Sequence, residues 1–376
     1  MAKTRQYELH PPNPRRGWSS DLLDLRNPVV VPPVEGGFVQ QAGILHADGA
    51  YCPRGALWRK SKPITTRPEM PKGPMPVLNG NWLWGGVLWV HFGHFVVEST
   101  GRLWALPQLS GQIDGILFMP KRPRRAGTVL GFQRDFVRLF GADLPIRTTE
   151  GPTRVERLFV PGQGFGLGDI AAGSTPFRAA LASEFARDVA PDGPKRLYVS
   201  RSRITGNKGI LIDEDLIEAR LAAEGYEIFH PQAHDLATQI ARYRAADTIL
   251  ASEGSALHVV GMVARAHQKI GILVRRRSNA TAYIARQLES FSGRAPVIID
   301  ALVRTWKPAH ARHKRSWHGE HHLPALQALL ATEGFIASGG TPWQARSIED
   351  IAANLGERYV VAAEHQPPAL PLSRAA

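Results

Sequence analysis

Residues 248–258 read Thr248-Ile249-Leu250-Ala251-Ser252-Glu253-Gly254-Ser255-Ala256-Leu257-His258. The first five suit a buried strand. Glu253-Gly254-Ser255 then breaks the run, and a helical pattern follows to about residue 266. The same unit recurs on both sides. A strand over 196–200 precedes a helix over 213–224, and a strand over 226–230 precedes a helix over 235–246. Downstream, a strand over 269–274 precedes a helix over 280–291, and a strand over 296–300 closes the series. Spacings of ~20–30 residues are those of βαβ units, which build a parallel, doubly wound sheet. Ligands bind such sheets beyond the carboxyl ends of the strands.

The breaker cluster Ala190-Pro191-Asp192-Gly193-Pro194 precedes this series and predicts a domain boundary. Four regions follow. Residues 1–78 are irregular strands and loops belonging to the first domain. Residues 79–190 form an α/β domain. Residues 191–305 form a Rossmann-like domain, and residues 306–376 a basic loop with C-terminal helices. In the second region, Trp82 to Val90 reads as a hairpin turned at Gly85-Gly86. A helix is expected over 91–106. The glycine-rich stretch 162–173 lacks phosphate-loop spacing and reads as a mobile loop. Helices are expected over 323–332 and 347–364, with frayed residues from Gln366.

The chain has 376 residues, enough for about two domains, and its 43% hydrophobic and 21% charged composition is that of a globular protein. Its 36 glycines and 29 prolines fall short of low complexity. A single cysteine, Cys52, excludes a disulfide framework and a cysteine-rich zinc module. No apolar run approaches the ~20 residues of a membrane span, and the polar, proline-rich N-terminus lacks a signal-peptide core. The expectation is a soluble, cytoplasmic protein. The net charge of +13 implies an anionic partner: nucleic acid, a membrane surface or a phosphorylated small molecule.

Three constellations carry chemistry. In the first, His91, His94, Glu98 and Arg102 fall within roughly 80° of one another on a helix at ~100° per residue. The set suits a general acid/base site, an i, i+4 ion pair between Glu98 and Arg102, or a zinc site whose spacing matches no known metallohydrolase motif. In the second, the strand over 196–200 delivers Ser200, Arg201, Ser202 and Arg203 to the ligand edge. Guanidinium forks there suit a diphosphate, and a solvated basic loop is the alternative. In the third, Glu253-Gly254-Ser255 opens a helix whose first amides favour an anion, or Ser255 simply caps it. Asp213-Glu214-Asp215 resembles a metal–nucleotide D-x-D pattern but reads as helix capping. The histidine- and arginine-rich run around His310 reads as a solvated loop.

Together these segments resemble glycosyltransferase family 61, particularly its bacterial branch. The resemblance rests on His91-Phe92-Gly93-His94 through Glu98, Arg102-Leu103-Trp104-Ala105-Leu106, Leu197-Tyr198-Val199-Ser200-Arg201 and Glu253-Gly254-Ser255-Ala256-Leu257. The segment Asp235-Leu236 to Gln239-Ile240 adds to it, and the whole covers about residues 80–275. The resemblance implies a GT-B architecture of two Rossmann-like domains facing a cleft. It also implies inverting sugar transfer from a nucleotide sugar, without a metal or other cofactor, with the donor held mainly by the second domain. Two departures stand out. Many members carry Asp where this chain has Glu98, and eukaryotic members commonly have His-Gly-Ala where it has Glu253-Gly254-Ser255.

The expectation is therefore an inverting transferase acting on a saccharide or glycolipid acceptor in surface polysaccharide synthesis. Glu98 is the expected base with His94 beside it, and His91 and Arg102 line the acceptor. Ser200, Arg201, Arg203, Glu253, Gly254, Ser255, Ala256 and Leu257 hold the nucleotide sugar. The basic surplus suits a lipid-linked or acidic acceptor, with peripheral association at an anionic membrane. The alternatives are a basic nucleic-acid-binding protein, for which no recognition motif is present, and a non-catalytic nucleotide-sugar-binding protein of the same fold.

Overall fold

A computed structural model describes residues 10–206, 208–311, 314–344 and 346–366. The chain divides after Asp188 into two compact units. The expected frayed end lies, beyond Gln366, outside the described residues.

The first unit is built on a seven-stranded mixed sheet. Its strands are β1 (Leu22–Arg26), β2 (Val29–Val31), β3 (Gly43–Leu45), β4 (Val77–Leu88), β5 (Gly115–Pro120), β6 (Ile146–Thr148) and β7 (Thr153–Pro161). The order is β6-β5-β4-β7-β2-β3, with β1 also on β7. The four strands from β6 to β7 run parallel, whereas β1, β2 and β3 join antiparallel. This unit is therefore not a plain Rossmann-like sheet. Its core gathers Trp82, Trp84, Val87, Leu117, Leu158 and their neighbours.

The expected hairpin at Gly85-Gly86 is absent: β4 runs straight through both glycines. The register against β5 shifts between Trp84 and Gly86, and Gly86 takes a φ of +89°. A methyl group at Gly85 would overlap the Phe118 ring. The pair thus serves a bulge and a close strand approach, a second use of glycine that sequence alone does not distinguish from a turn. The glycine-rich stretch, expected as a mobile loop, is packed into the unit. Gly162, Gly164 and Gly166 are buried, and Gln163 bonds both backbone groups of Trp58. The glycines let this segment pack against backbone and the Trp104 ring.

The second unit follows the sequence closely. Strands β8 (Arg196–Val199), β9 (Glu227–Phe229), β10 (Thr248–Ser252), β11 (Lys269–Leu273) and β12 (Val297–Ile299) form one sheet, in the order β9-β8-β10-β11-β12, all parallel. Helices α3 (Glu214–Ala223), α4 (Leu236–Ala245), α5 (Ala256–Val263) and α6 (Asn279–Ser292) connect them; α1 (Gly131–Arg138) and α2 (Thr175–Ser183) lie in the first unit. Tyr198, Leu250 and Leu273 join one core with Ile217 and Leu221 of α3. The alternate residues Leu197, Ile249 and Ile272 are buried as well. Burial on both faces is why these strands read as continuous apolar runs.

The strand order reverses between β8 and β10, so the topological switch point lies where their carboxyl ends meet. The chain then forms a three-stranded antiparallel sheet of β13 (Leu302–Pro308), β14 (His318–His321) and β15 (Tyr359–Glu364). Helix α7 (Leu323–Thr332) matches expectation. The second expected helix does not run to residue 364. Helix α8 (Ile348–Leu355) stops at Gly356, whose φ is +72°, and the remainder pairs as β15. Part of the basic run is buried too: His318, Glu320 and His321 face inward, and burial pushes the His318 pKa down to about 4. Among the described residues no helix is long and apolar enough to cross a membrane.

Candidate active site

In the first unit, β4 ends at Leu88 and delivers Trp89 to the carboxyl edge of its sheet. The helix expected over 91–106 is broken. One α-turn, Phe92–His94, widens into a π-type turn over Phe95–Ser99, and a separate 3-10 turn covers Leu103–Ala105. Gly101 lies so close to Phe165 backbone that no side chain would fit. This break rotates Arg102 off the face that carries His94 and Glu98. Arg102 is buried, with its guanidinium on the carbonyls of Pro161 and Ala56, and burial lowers its pKa to about 10. The expected Glu98–Arg102 pair and the shared four-residue face are thus corrected, and Arg102 holds backbone together.

The true partner of Glu98 is Arg59, which sits in the short strand Trp58–Arg59. Arg59 Nε donates to Glu98 Oε1 at 2.7 Å and Nη2 to Oε2 at 2.5 Å. Oε2 also accepts from His94 Nδ1 at 2.7 Å. The Glu98 side chain is wholly buried, with 0% exposed, whereas His94 keeps 38%. Burial pushes the Glu98 pKa up, but the bonds from His94 and Arg59 outweigh it and hold the carboxyl below its ordinary value. An ionised carboxylate only accepts, so it fixes the proton of neutral His94 on Nδ1 and leaves Nε2 as an acceptor.

The His94 ring stacks on Trp89 with centroids 4.7 Å apart, and exposed His91 meets it edge-on at 5.3 Å. The Arg59 guanidinium lies over Trp89 at 5.0 Å and over Phe38 at 5.1 Å. Lys121 Nζ lies over Trp89 at 5.3 Å and donates to Phe38 O and Gln40 Oε1. Burial, with Arg59 adding to it, lowers the Lys121 pKa to about 8. Arg59, Lys121 and Trp89 are not among the residues the sequence singles out, although Lys121 opens the basic stretch Lys121-Arg122-Pro123-Arg124-Arg125. They come from segments far apart in sequence, so no local spacing announces them.

In the second unit, the switch point brings Ser200-Arg201 and Glu253-Gly254 together. A Cβ at Gly254 would overlap the Arg201 guanidinium, so the glycine makes room for it. Arg201 Nη2 donates to Gly209 O at 3.0 Å, while its Nε is buried without a partner. Ser255 makes no side-chain cap, and the amides of Gly254, Ser255 and Ala256 enter no backbone hydrogen bond among the described residues. Leu257 is a core residue. Arg203 is exposed.

Two expectations change at this edge. Ser200 is buried, and its hydroxyl donates to Glu218 at 2.5 Å, so it is committed to the protein. Glu253 points inward onto Arg276 at 3.2 Å, with Arg275 at 3.9 Å. These arginines offset its charge, and its Oε2 lacks a partner. Nor does Asp213 cap α3; it pairs with Arg346 at 2.9 Å. Glu214 turns in beneath the switch point instead. It accepts from Ser252 Oγ at 2.6 Å, Tyr198 Oη at 2.9 Å and the Arg201 amide at 2.9 Å. Its pKa is raised because burial outweighs those bonds.

Residues 92–270 match the model of the family Glycosyltransferase 61, and this part of the chain belongs to that family. The match spans both constellations, from His94 and Glu98 through Arg201 to Gly254. The match supports a glycosyltransferase, and the architecture is mixed α/β with parallel sheets. No curated protein sequence matches it. Among solved structures it is similar to the bacterial iron-containing dodecameric glycosyltransferase TibC from enterotoxigenic E. coli H10407. The identity is 10%, covering 69% of this chain and 76% of that one, with a TM-score of 0.27. A likeness that loose transfers neither iron nor assembly nor substrate to this chain.

Proposed function

We propose that the protein is an inverting, metal-independent transferase that moves a sugar from a nucleotide sugar to a hydroxyl of a saccharide or glycolipid, with His94 as the base. The observation that carries this reading is the His94–Glu98–Arg59 chain, a solvent-reachable imidazole held by a buried, ionised carboxylate. Glu98 is a poor base itself, because both its oxygens are bonded and its pKa is depressed. It is well placed to orient His94 and to stabilise the imidazolium. His94 Nε2 takes the acceptor hydroxyl proton, and the acceptor oxygen attacks the anomeric carbon. The bond to the diphosphate breaks on the opposite face, and the diphosphate leaves with the electron pair.

Charge on that diphosphate is offset by Arg201 and the amides of Gly254 to Ala256. The buried unpartnered Nε of Arg201 beside the open start of α5 supports this assignment. Fixed cations then do what a divalent metal does in other transferases, so no cofactor is required. The acceptor chemistry fits surface polysaccharide synthesis in the cytoplasm, with peripheral attraction to an anionic membrane drawing on the +13 charge.

The test is a thermal-shift panel of nucleoside diphosphates and nucleotide sugars, run with magnesium and with EDTA. Stabilisation by one nucleotide that persists in EDTA is expected, together with its loss in Arg201→Ala. Stabilisation only with magnesium contradicts the metal-free reading. No shift with any nucleotide contradicts donor binding altogether.

A further inference from the structure

Beside the His94 site, the first unit carries a cationic rim that the proposed chemistry does not use. Strands β4 and β5 run parallel and end together, Leu88 opposite Pro120. The next residues are Trp89, which stacks on His94, and Lys121, whose ammonium lies over that same indole. Both hydrogen-bond partners of Lys121, Phe38 O and Gln40 Oε1, are neutral. Immediately after it, the tight turn Pro123–Arg125 is closed by bonds from the Arg125 amide to Arg122 O and from the Ala126 amide to Pro123 O. It presents Arg122, Arg124 and Arg125 to solvent, all exposed, and none pairs with a carboxylate among the described residues.

The same rim holds Phe38, which is 56% exposed. One of its faces lies on the Arg59 guanidinium, and its carbonyl is tied down by Lys121. An exposed aromatic ring tied to Lys121, which leads directly into three unpaired guanidiniums, suits a ligand with flat apolar sugar faces and regularly placed negative charge. A neutral acceptor would leave the three arginines of this short segment without counter-charge, at a mutual repulsion the fold gains nothing from. Guanidinium forks match carboxylate and phosphate oxygens alike.

Building on the transferase reading, we propose that the loop 121–125 and Phe38 form the acceptor subsite, and that the acceptor is an anionic saccharide bearing carboxylate or phosphate groups. The reading identifies a sugar acceptor; this subsite gives it a charge and a place.

The experiment measures binding of the full chain to a hexasaccharide of galacturonate, a phosphorylated oligosaccharide, a neutral cellohexaose and vesicles with and without anionic lipid. Wild type is compared with the triple variant Arg122→Glu, Arg124→Glu, Arg125→Glu. A control variant reverses three other exposed arginines of the same unit, Arg15, Arg16 and Arg67. At least one anionic saccharide is expected to bind with affinity that falls steeply with salt. Affinity should drop at least tenfold in the triple variant, change little in the control and fall severalfold in Phe38→Ala.

Equal losses in both triple variants would reduce the effect to net charge and overturn the proposal. So would the absence of binding to either anionic saccharide, or loop-dependent binding to anionic vesicles only, which would assign the loop to a lipid surface. Nucleoside diphosphate affinity, measured on the same samples, reports separately on the transferase reading. Its retention alongside lost saccharide binding keeps the two claims distinguishable.

Discussion

Glu98 in the first unit and Glu214 in the second are both buried carboxylates close to a sheet's carboxyl edge, yet their pKa values move in opposite directions. Burial is the largest influence on each, and on each it acts upward. Glu98 is met by a two-pronged guanidinium and an imidazole, which leave neither oxygen unbonded. Glu214 is met by the hydroxyls of Ser252, Tyr198 and, at 3.4 Å, Ser200 and by one amide, all on Oε1, while Oε2 has no partner. The charge of the partner, more than depth, decides whether a buried acid stays ionised. The first arrangement makes a fixed negative charge that can support a base. The second makes a polar prop that holds the Arg201 amide in place.

The contrast is sharpest in stability. Glu98→Gln leaves the largely buried Arg59 charge, 16% exposed, without its counter-ion. The expected cost is about 3–5 kcal/mol in chemical denaturation, as for other broken buried pairs. A cost below 1 kcal/mol would show that the pair is solvated and the account of Glu98 wrong.

A second prediction concerns the donor edge. Gly254→Ala pushes the Arg201 guanidinium aside, and its flexible end can move, so the fold should survive. Nucleoside diphosphate affinity should fall about tenfold, roughly 1.4 kcal/mol. Calorimetry checks this, and unchanged affinity would separate Arg201 from the diphosphate.

The smallest effect is expected at Glu214. Glu214→Gln keeps the accepting oxygen and removes a disfavoured charge, so stability at pH 7 should change by about 1 kcal/mol or less. The pH dependence separates the two acids further. The lowered pKa of Glu98 contributes stability that is present above the ordinary glutamate value and is lost as pH falls through the folded-state value. The raised pKa of Glu214 contributes stability that declines as pH rises from the ordinary value through the raised one. Denaturation midpoints across pH should lose the acid-side slope in Glu98→Gln and the higher-pH slope in Glu214→Gln. Identical profiles in both variants would break the comparison.

The two units were also unequally legible in the sequence. In the second, the strands are short, largely apolar runs of three to five residues separated by helices. That Arg201 and Gly254 share the ligand edge of one sheet was therefore legible in the sequence, whereas their contact depends on the strand order β8-β10, which local pattern does not encode. In the first unit, the helical-wheel argument placed Arg102 beside Glu98. It assumed an unbroken α-helix, and the wide turn over Phe95–Ser99 and the tight packing at Gly101 defeat that assumption. The actual partner, Arg59, lies 39 residues upstream in a two-residue strand, a contact no local period encodes. Gly85-Gly86 misled for a related reason, since the Phe118 ring that requires Gly85 belongs to another strand. Glu214 was hidden because an acidic residue at a helix start has capping as its ordinary explanation.

The central claim is that His94 is the base and Glu98 its support. The direct measurement is turnover of the nucleotide sugar that binds best, in His94→Ala and Glu98→Gln, with nucleoside diphosphate affinity determined on the same folded samples. The account predicts a loss of about 10²–10⁴-fold in His94→Ala, a smaller loss in Glu98→Gln and unchanged affinity in both. A deeper loss in Glu98→Gln than in His94→Ala would return the base to the carboxylate and contradict the account.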